Sequence, residues 1–120
     1  MAPTVALVCR EARLRTVLRL ALEADGYAVE PCEQLTLGTA SAPSAIVVDL
    51  DSLRLDAPSA VAALRAGGVP DATPLLLVSV YPPASGDLAR AGPTDYLQPP
   101  FAPQEFARRL RRTGQRVEGN

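Results

Sequence analysis

Ala45-Ile46-Val47-Val48 is an unbroken apolar run, β-branched at three of its four positions and too short for a helix. Such a run marks a strand buried on both faces, as at the centre of a parallel sheet. The strand, 45–50, leads straight into Asp49 and Asp51. Leu75 to Val80, introduced by Pro74, is a second continuous run. Shorter strands are predicted at Thr4 to Val8, at Tyr27 to Glu30 and at Asp95 to Gln98. Pro31 follows the Tyr27 strand at once; proline cannot donate to a ladder, so that strand belongs at a sheet edge.

Between the strands the period changes from 2 to 3.6. From about Glu11 to Ala24, Leu14, Val17, Leu18, Ala21 and Leu22 keep the spacing of one buried helix face, with Arg13, Arg19 and Glu23 opposite. Asp25-Gly26 ends that helix with a residue suited to the left-handed C′ position. Pro58 opens a helix with Val61 and Leu64 inward and Gly67-Gly68 as its stop. Pro103 opens the last helix, to about Thr113, with Phe106 and Leu110 inward; Gln115 to Asn120 reads as a frayed polar tail. Residues 33–43 leave room for only a short helix near Glu33 to Leu37, and Asp87 to Arg90 for about one turn. Strands alternating with helices predict βαβ units, and right-handed crossovers place helices on both faces of one parallel sheet. Residues 1–120 read as a single domain without repeat or linker.

Composition narrows the chemistry. The 120 residues are 48% hydrophobic, and no apolar run approaches the ~20 residues that span a bilayer. Nor is there a signal-peptide pattern at the N-terminus, so a cytoplasmic protein is expected. Histidine is absent, which removes the commonest general base and metal ligand. All 12 basic residues are arginine, and the net charge of -1 offers no general attraction to nucleic acid or membrane. Cys9 and Cys32 lack metal-ligand spacing and read as reduced thiols. In open α/β sheets ligands gather beyond the carboxyl ends of the strands, where Asp49 stands.

Five pieces in order carry a family likeness: Val8-Cys9-Arg10-Glu11, Gly26-Tyr27, Ser44 to Leu50 with Asp49, Thr73-Pro74 leading to Ser79, and Asp95-Tyr96-Leu97-Gln98-Pro99-Pro100-Phe101. Over essentially the whole chain they resemble the receiver domain of bacterial two-component response regulators. The resemblance implies a flavodoxin-like, doubly wound sheet of five parallel strands in the order 2-1-3-4-5. It places Asp49 at the phosphoryl-accepting aspartate, Ser79 at the hydroxyl that contacts the phosphoryl group, and Tyr96 at the aromatic switch. It also implies a cis peptide at Pro99-Pro100.

The departures bear on function. Where the family places two acids for Mg²⁺, this chain has Cys9 and Arg10, with only Glu11 acidic beside them. Where the family places a lysine, this chain has Pro99, and the second and fourth helices are expected to be shortened. Phosphoryl transfer to a carboxylate relies on a divalent cation and a fixed ammonium to neutralise the equatorial oxygens. A thiol is a poor Mg²⁺ ligand and an arginine repels the ion. The expectation is a degenerate pseudo-receiver, not an enzyme and without a cofactor, that signals through a protein partner or self-association. Two alternatives stay open: slow phosphorylation on Asp49, with Glu11 or Asp51 salvaging a metal, and a regulatory domain whose output domain follows residue 120.

Each residue also has a plainer reading. Asp49 can be a solvated acid capping a loop, Ser79 a small polar strand end, Tyr96 a half-buried core aromatic, and Cys9 a small buried hydrophobe. Arg108, Arg109, Arg111 and Arg112 suit a solvated face that complements the helix dipole, or a patch for an acidic protein partner. No recognition motif accompanies them, so DNA is not the expected partner. Arg10 is expected to reach into the cleft as a permanent counterion to Asp49 or Glu11, the plainer reading being that it snorkels outward and makes no contact.

Overall fold

The structure, a computed structural model, describes residues 2–35, 42–84, 86 and 94–118, with side chains in the last helix described as far as Gly114. β1 (Thr4–Val8), β2 (Ala28–Cys32), β3 (Ala45–Asp49), β4 (Leu75–Val78) and β5 (Thr94–Leu97) form one parallel sheet in the order β2-β1-β3-β4-β5. Among the described residues, the helices are α1 (Ala12–Ala24), α2 (Leu50–Leu53), α3 (Ala57–Ala66) and α4 (Pro103–Glu118).

The central strands show why their apolar runs are unbroken. Every residue of β3 and β4 is buried. Val5, Leu7, Ala45, Val47, Leu76 and Val78 face one way and pack on Leu18 and Leu22 of α1 and Phe106 and Leu110 of α4. Ala6, Val8, Ile46, Val48, Leu75 and Leu77 face the other way, onto Leu50 of α2 and Ala57, Ala60 and Leu64 of α3. One strand thus feeds two cores, and helices cover both faces.

Edges and caps follow local chemistry. β2 is an edge strand, as Pro31 implies, but it runs through Pro31 to Cys32 rather than stopping at Glu30. On an edge, alternate N–H groups face away from the sheet, so a missing donor there breaks no ladder bond. The Glu11 carboxylate caps α1 by accepting from the Arg13 and Leu14 amides. Asp56 caps α3, with Pro58 in its first turn, and the Ser59 bond holds the Asp56 pKa below its ordinary value. Gly26 and Gly68 supply the positive φ, 95° and 97°, that ends α1 and α3.

Several expectations shift. β4 ends at Val78, not Val80: the Val80 amide donates to the Asp51 carboxylate instead of to a neighbouring strand. β5 spans Thr94–Leu97 rather than Asp95 to Gln98. Leu50 does not extend β3 but starts the single turn of α2, which closes on Arg54 with a left-handed φ of 56°. α4 continues past Thr113 to Glu118, so most of the expected frayed tail is helical. Val17 is 48% exposed, because it lies ~100° around the helix from Leu18, at the margin of the packed face. Glu33 to Leu35 bend rather than start a helix; the rest of that segment, 36–41, and the turn expected at Asp87 to Arg90 lie outside the described residues.

Two fully packed cores predict equal vulnerability. Leu110→Ala on one face and Leu64→Ala on the other are each expected to lower unfolding free energy by about 2–5 kcal/mol in urea titrations. A loss below ~1 kcal/mol at either site would mean that its face is not a packed core.

Candidate functional site

The site lies at the carboxyl ends of β1, β3 and β4. Strand alternation carries Asp49 to the face shared by Val47 and Cys9. There the Cys9 Sγ–H donates to the Asp49 carboxylate at 3.5 Å and to the Glu11 carbonyl at 3.4 Å. Cys9 is fully buried and Asp49 only 4% exposed. Burial, reinforced by the Asp49 charge, pushes the Cys9 thiol up to about 11, so it stays a neutral donor. Burial also raises the Asp49 pKa; hydrogen bonds from Ser52 and Cys9 pull it partly back, and the Asp51 charge adds to the rise.

A second acid takes a separate set of donors. The Asp51 carboxylate accepts from Ser79 Oγ at 2.7 Å and from the Val80 amide at 2.9 Å. Tyr96 is half-buried, and its hydroxyl donates to the Ser79 carbonyl at 2.9 Å. Burial first, then the Asp51 charge, raises the Tyr96 phenol pKa. Pro99 stands beyond β5 without a charge to offer, and the Pro99-Pro100 bond is cis. Beside these residues a groove of about 720 Å³ runs between Leu50, Leu55 and Pro58 on one wall and Val80, Tyr81 and Pro82 on the other.

No family model matches the chain. Curated relatives do. The response regulator MprA of Mycobacterium tuberculosis (strain ATCC 25618 / H37Rv) is 32% identical over 117 residues, covering 92% of this chain and 50% of the relative. MprA of Mycolicibacterium vanbaalenii is 36% identical over 104 residues, covering 82% and 44%. The chain thus spans about half the length of the curated relatives it matches. Among solved structures, the receiver domain of sensor histidine kinase PA1611 from Pseudomonas aeruginosa PAO1, with a magnesium ion in its active site cleft, aligns at TM-score 0.76 and 25% identity, covering 96% of this chain and 99% of that one. Chemotaxis response regulator CheY4 of Vibrio cholerae aligns at 0.79 and 20%, covering 94% and 99%. The chain is a receiver domain of the response-regulator family.

This receiver's cleft does not fit a magnesium ion. The ion asks for several hard oxygen ligands around one point. Here Glu11 spends both oxygens on the α1 cap, Asp51 spends both on Ser79 and Val80, and Asp49 is buried against a thiol. Among the described residues no three His, Cys, Asp or Glu side chains are grouped to hold a metal.

Arg10 does not do what was expected of it. Its side chain is exposed and enters no ion pair among the described residues; only its backbone N–H is engaged, by Ser52 Oγ at 3.0 Å. The inward position at the end of β1 belongs to Cys9, one residue earlier, so strand alternation turns Arg10 away. Arg15 is held beside the cleft: its Nη1 donates to the Cys9 carbonyl at 3.0 Å and reaches Glu33 at 3.4 Å. Ser52, whose hydroxyl also donates to the Asp49 carbonyl at 3.2 Å, joins the two strand ends. Its place three residues after Asp49, at a strand end, was the available signal.

The arginine patch also divides. Arg109 Nη1 donates to the Tyr96 carbonyl at 2.8 Å and pairs with Asp95 at 3.5 Å, while Arg111 pairs with Asp25 at the end of α1. These two fasten α4 to β5 and α1, and Arg111 stays exposed as it does so. Arg108 and Arg112 are exposed.

Two predictions follow from the buried pair. The raised folded pKa of Asp49 means that the folded state keeps its proton to higher pH than the unfolded chain, so stability is lost as pH rises from the ordinary carboxylate range through the raised value. Asp49→Asn is therefore expected to raise Tm at pH 7 by about 3 °C, and the gain should vanish near pH 3. A lower Tm at neutral pH would contradict the assigned cost of the buried charge. Cys9 should also alkylate with iodoacetamide at pH 8 roughly a hundredfold more slowly than Cys32, read by mapping the labelled peptides; equal rates would place Cys9 in solvent.

Proposed function

We propose that this receiver domain signals without the phosphorylation cycle, in a two-component-type pathway, by contact with a protein partner or a second copy of itself. The carrying observation is the state of Asp49, which is 4% exposed and hydrogen-bonded by a neutral thiol. An acyl phosphate forms when the carboxylate meets phosphorus while cations neutralise the equatorial oxygens. The Pseudomonas receiver holds a magnesium ion in its cleft. By the family resemblance, the positions that would hold such an ion and the ammonium carry Cys9, the outward Arg10 and Pro99 in this chain. No catalytic step is assigned to the domain.

The proposed setting is the cytoplasm. Cys9 and Cys32 are free and pack on opposite faces of the sheet, which suits a reducing compartment. No helix among the described residues is long and apolar enough to cross a membrane.

The test is incubation with acetyl phosphate and Mg²⁺, with a phosphorylatable receiver labelled alongside, followed by intact-mass measurement. The expected result is an unchanged mass for this chain. A gain of one phosphoryl group that disappears in Asp49→Asn would reject the proposal in favour of slow phosphorylation.

A further inference from the structure

We propose that Asp51 is a resident anion: it holds the end of β4 in the arrangement that an anionic group carried on β3 would otherwise impose, and so keeps the domain in one signalling state. The proposal rests on the reading that Asp49 is not phosphorylated.

The sheet register sets up the geometry. Asp49 lies opposite Val78, so Ser79 and Val80 are the first residues beyond β4, beside the end of β3. Their hydroxyl and amide are the donors that an anion at this strand end would meet, since anionic oxygens take such donors in short charge-assisted bonds. Both donors are already taken, at 2.7 Å and 2.9 Å, by the two oxygens of the Asp51 carboxylate. Asp49 does not compete for them, because its own carboxylate is turned to Cys9.

From Asp51 the contacts propagate in both directions along the strand ends. Ser79 Oγ accepts from the Tyr81 amide at 3.0 Å, and the Ser79 amide donates to the Leu97 carbonyl at 3.3 Å. The Ser79 carbonyl accepts from the Tyr96 hydroxyl, and the Val80 carbonyl accepts from Gln98 Nε2 at 3.2 Å. One carboxylate on the α2 turn therefore fixes the exit of β4 against β5. What it fixes is also displayed: Val80 is 44% exposed and Tyr81 76% exposed. Asp51 itself is exposed, so its replacement need not disturb either core.

Amide hydrogen exchange measured by NMR, with 3-fluorotyrosine at Tyr96, tests the idea on the full chain. In Asp51→Ala the Val80 and Tyr81 amides should exchange roughly tenfold faster or more, while Val47 and Leu76 in the central strands keep wild-type rates. The Tyr96 fluorine signal should move, and its phenol should titrate at lower pH with the neighbouring charge gone. Ser79→Ala should speed exchange at Tyr81 while leaving Val80 bonded to the carboxylate. Unchanged Val80 exchange in Asp51→Ala would overturn the proposal, as would acceleration shared equally by Val47 and Leu76 or an unmoved Tyr96 signal. Labelling of Asp49 by acetyl phosphate would reject the preceding function without altering these rates, so the two failures are distinguishable.

Discussion

Carboxylates at one end of a sheet are stabilised by whatever hydrogen-bond donors the neighbouring backbone and side chains supply. Glu11, Asp49 and Asp51 find such donors in three ways. Glu11 takes the orphan amides of α1, Asp49 takes the Cys9 thiol in a buried pocket, and Asp51 takes the Ser79 hydroxyl and Val80 amide. Each acid is spent on holding a piece of the fold, so none is left free to assemble an ion site with the others.

The arginines show the complementary pattern. With no lysine in the chain, guanidinium groups serve as fasteners between elements. Arg15 holds the Cys9 carbonyl, Arg109 joins α4 to β5 through Tyr96 and Asp95, and Arg111 joins α4 to α1 through Asp25. A planar fork that can meet two acceptors suits such joints better than a point charge. The rise of the Arg111 pKa, caused by the Asp25 hydrogen bond, agrees with that role. The same pairings engage two of the four clustered arginines, yet Arg111 stays exposed together with Arg108 and Arg112.

The fold was legible because its signals are local and redundant. Unbroken apolar runs at 45–48 and 75–78 need cover on both faces, Pro31 belongs on an edge, and Gly26 and Gly68 sit where a left-handed φ is required. Element ends were less legible, because an end is decided by where a hydroxyl or a cap finds its partner. The Val80 amide leaves β4 for Asp51, and Leu50 leaves β3 for a helical turn that buries it beside α3. Val17 misled for a different reason: periodicity locates a helix face but not how wide a neighbour covers it.

The sequence by itself determined the α/β architecture, the receiver likeness and the position of Asp49 at the end of a buried strand. Those follow from residue type and spacing, which act within one element. Which side chain reaches which was decided only in three dimensions. A shift of one residue along β1 turns Cys9 to Asp49 and Arg10 to solvent, and the β3–β4 register brings Ser79 beside Asp51 across the sheet. Spacing along the chain cannot report such pairings, because they depend on the parity of strands whose ends are set by the pairings themselves.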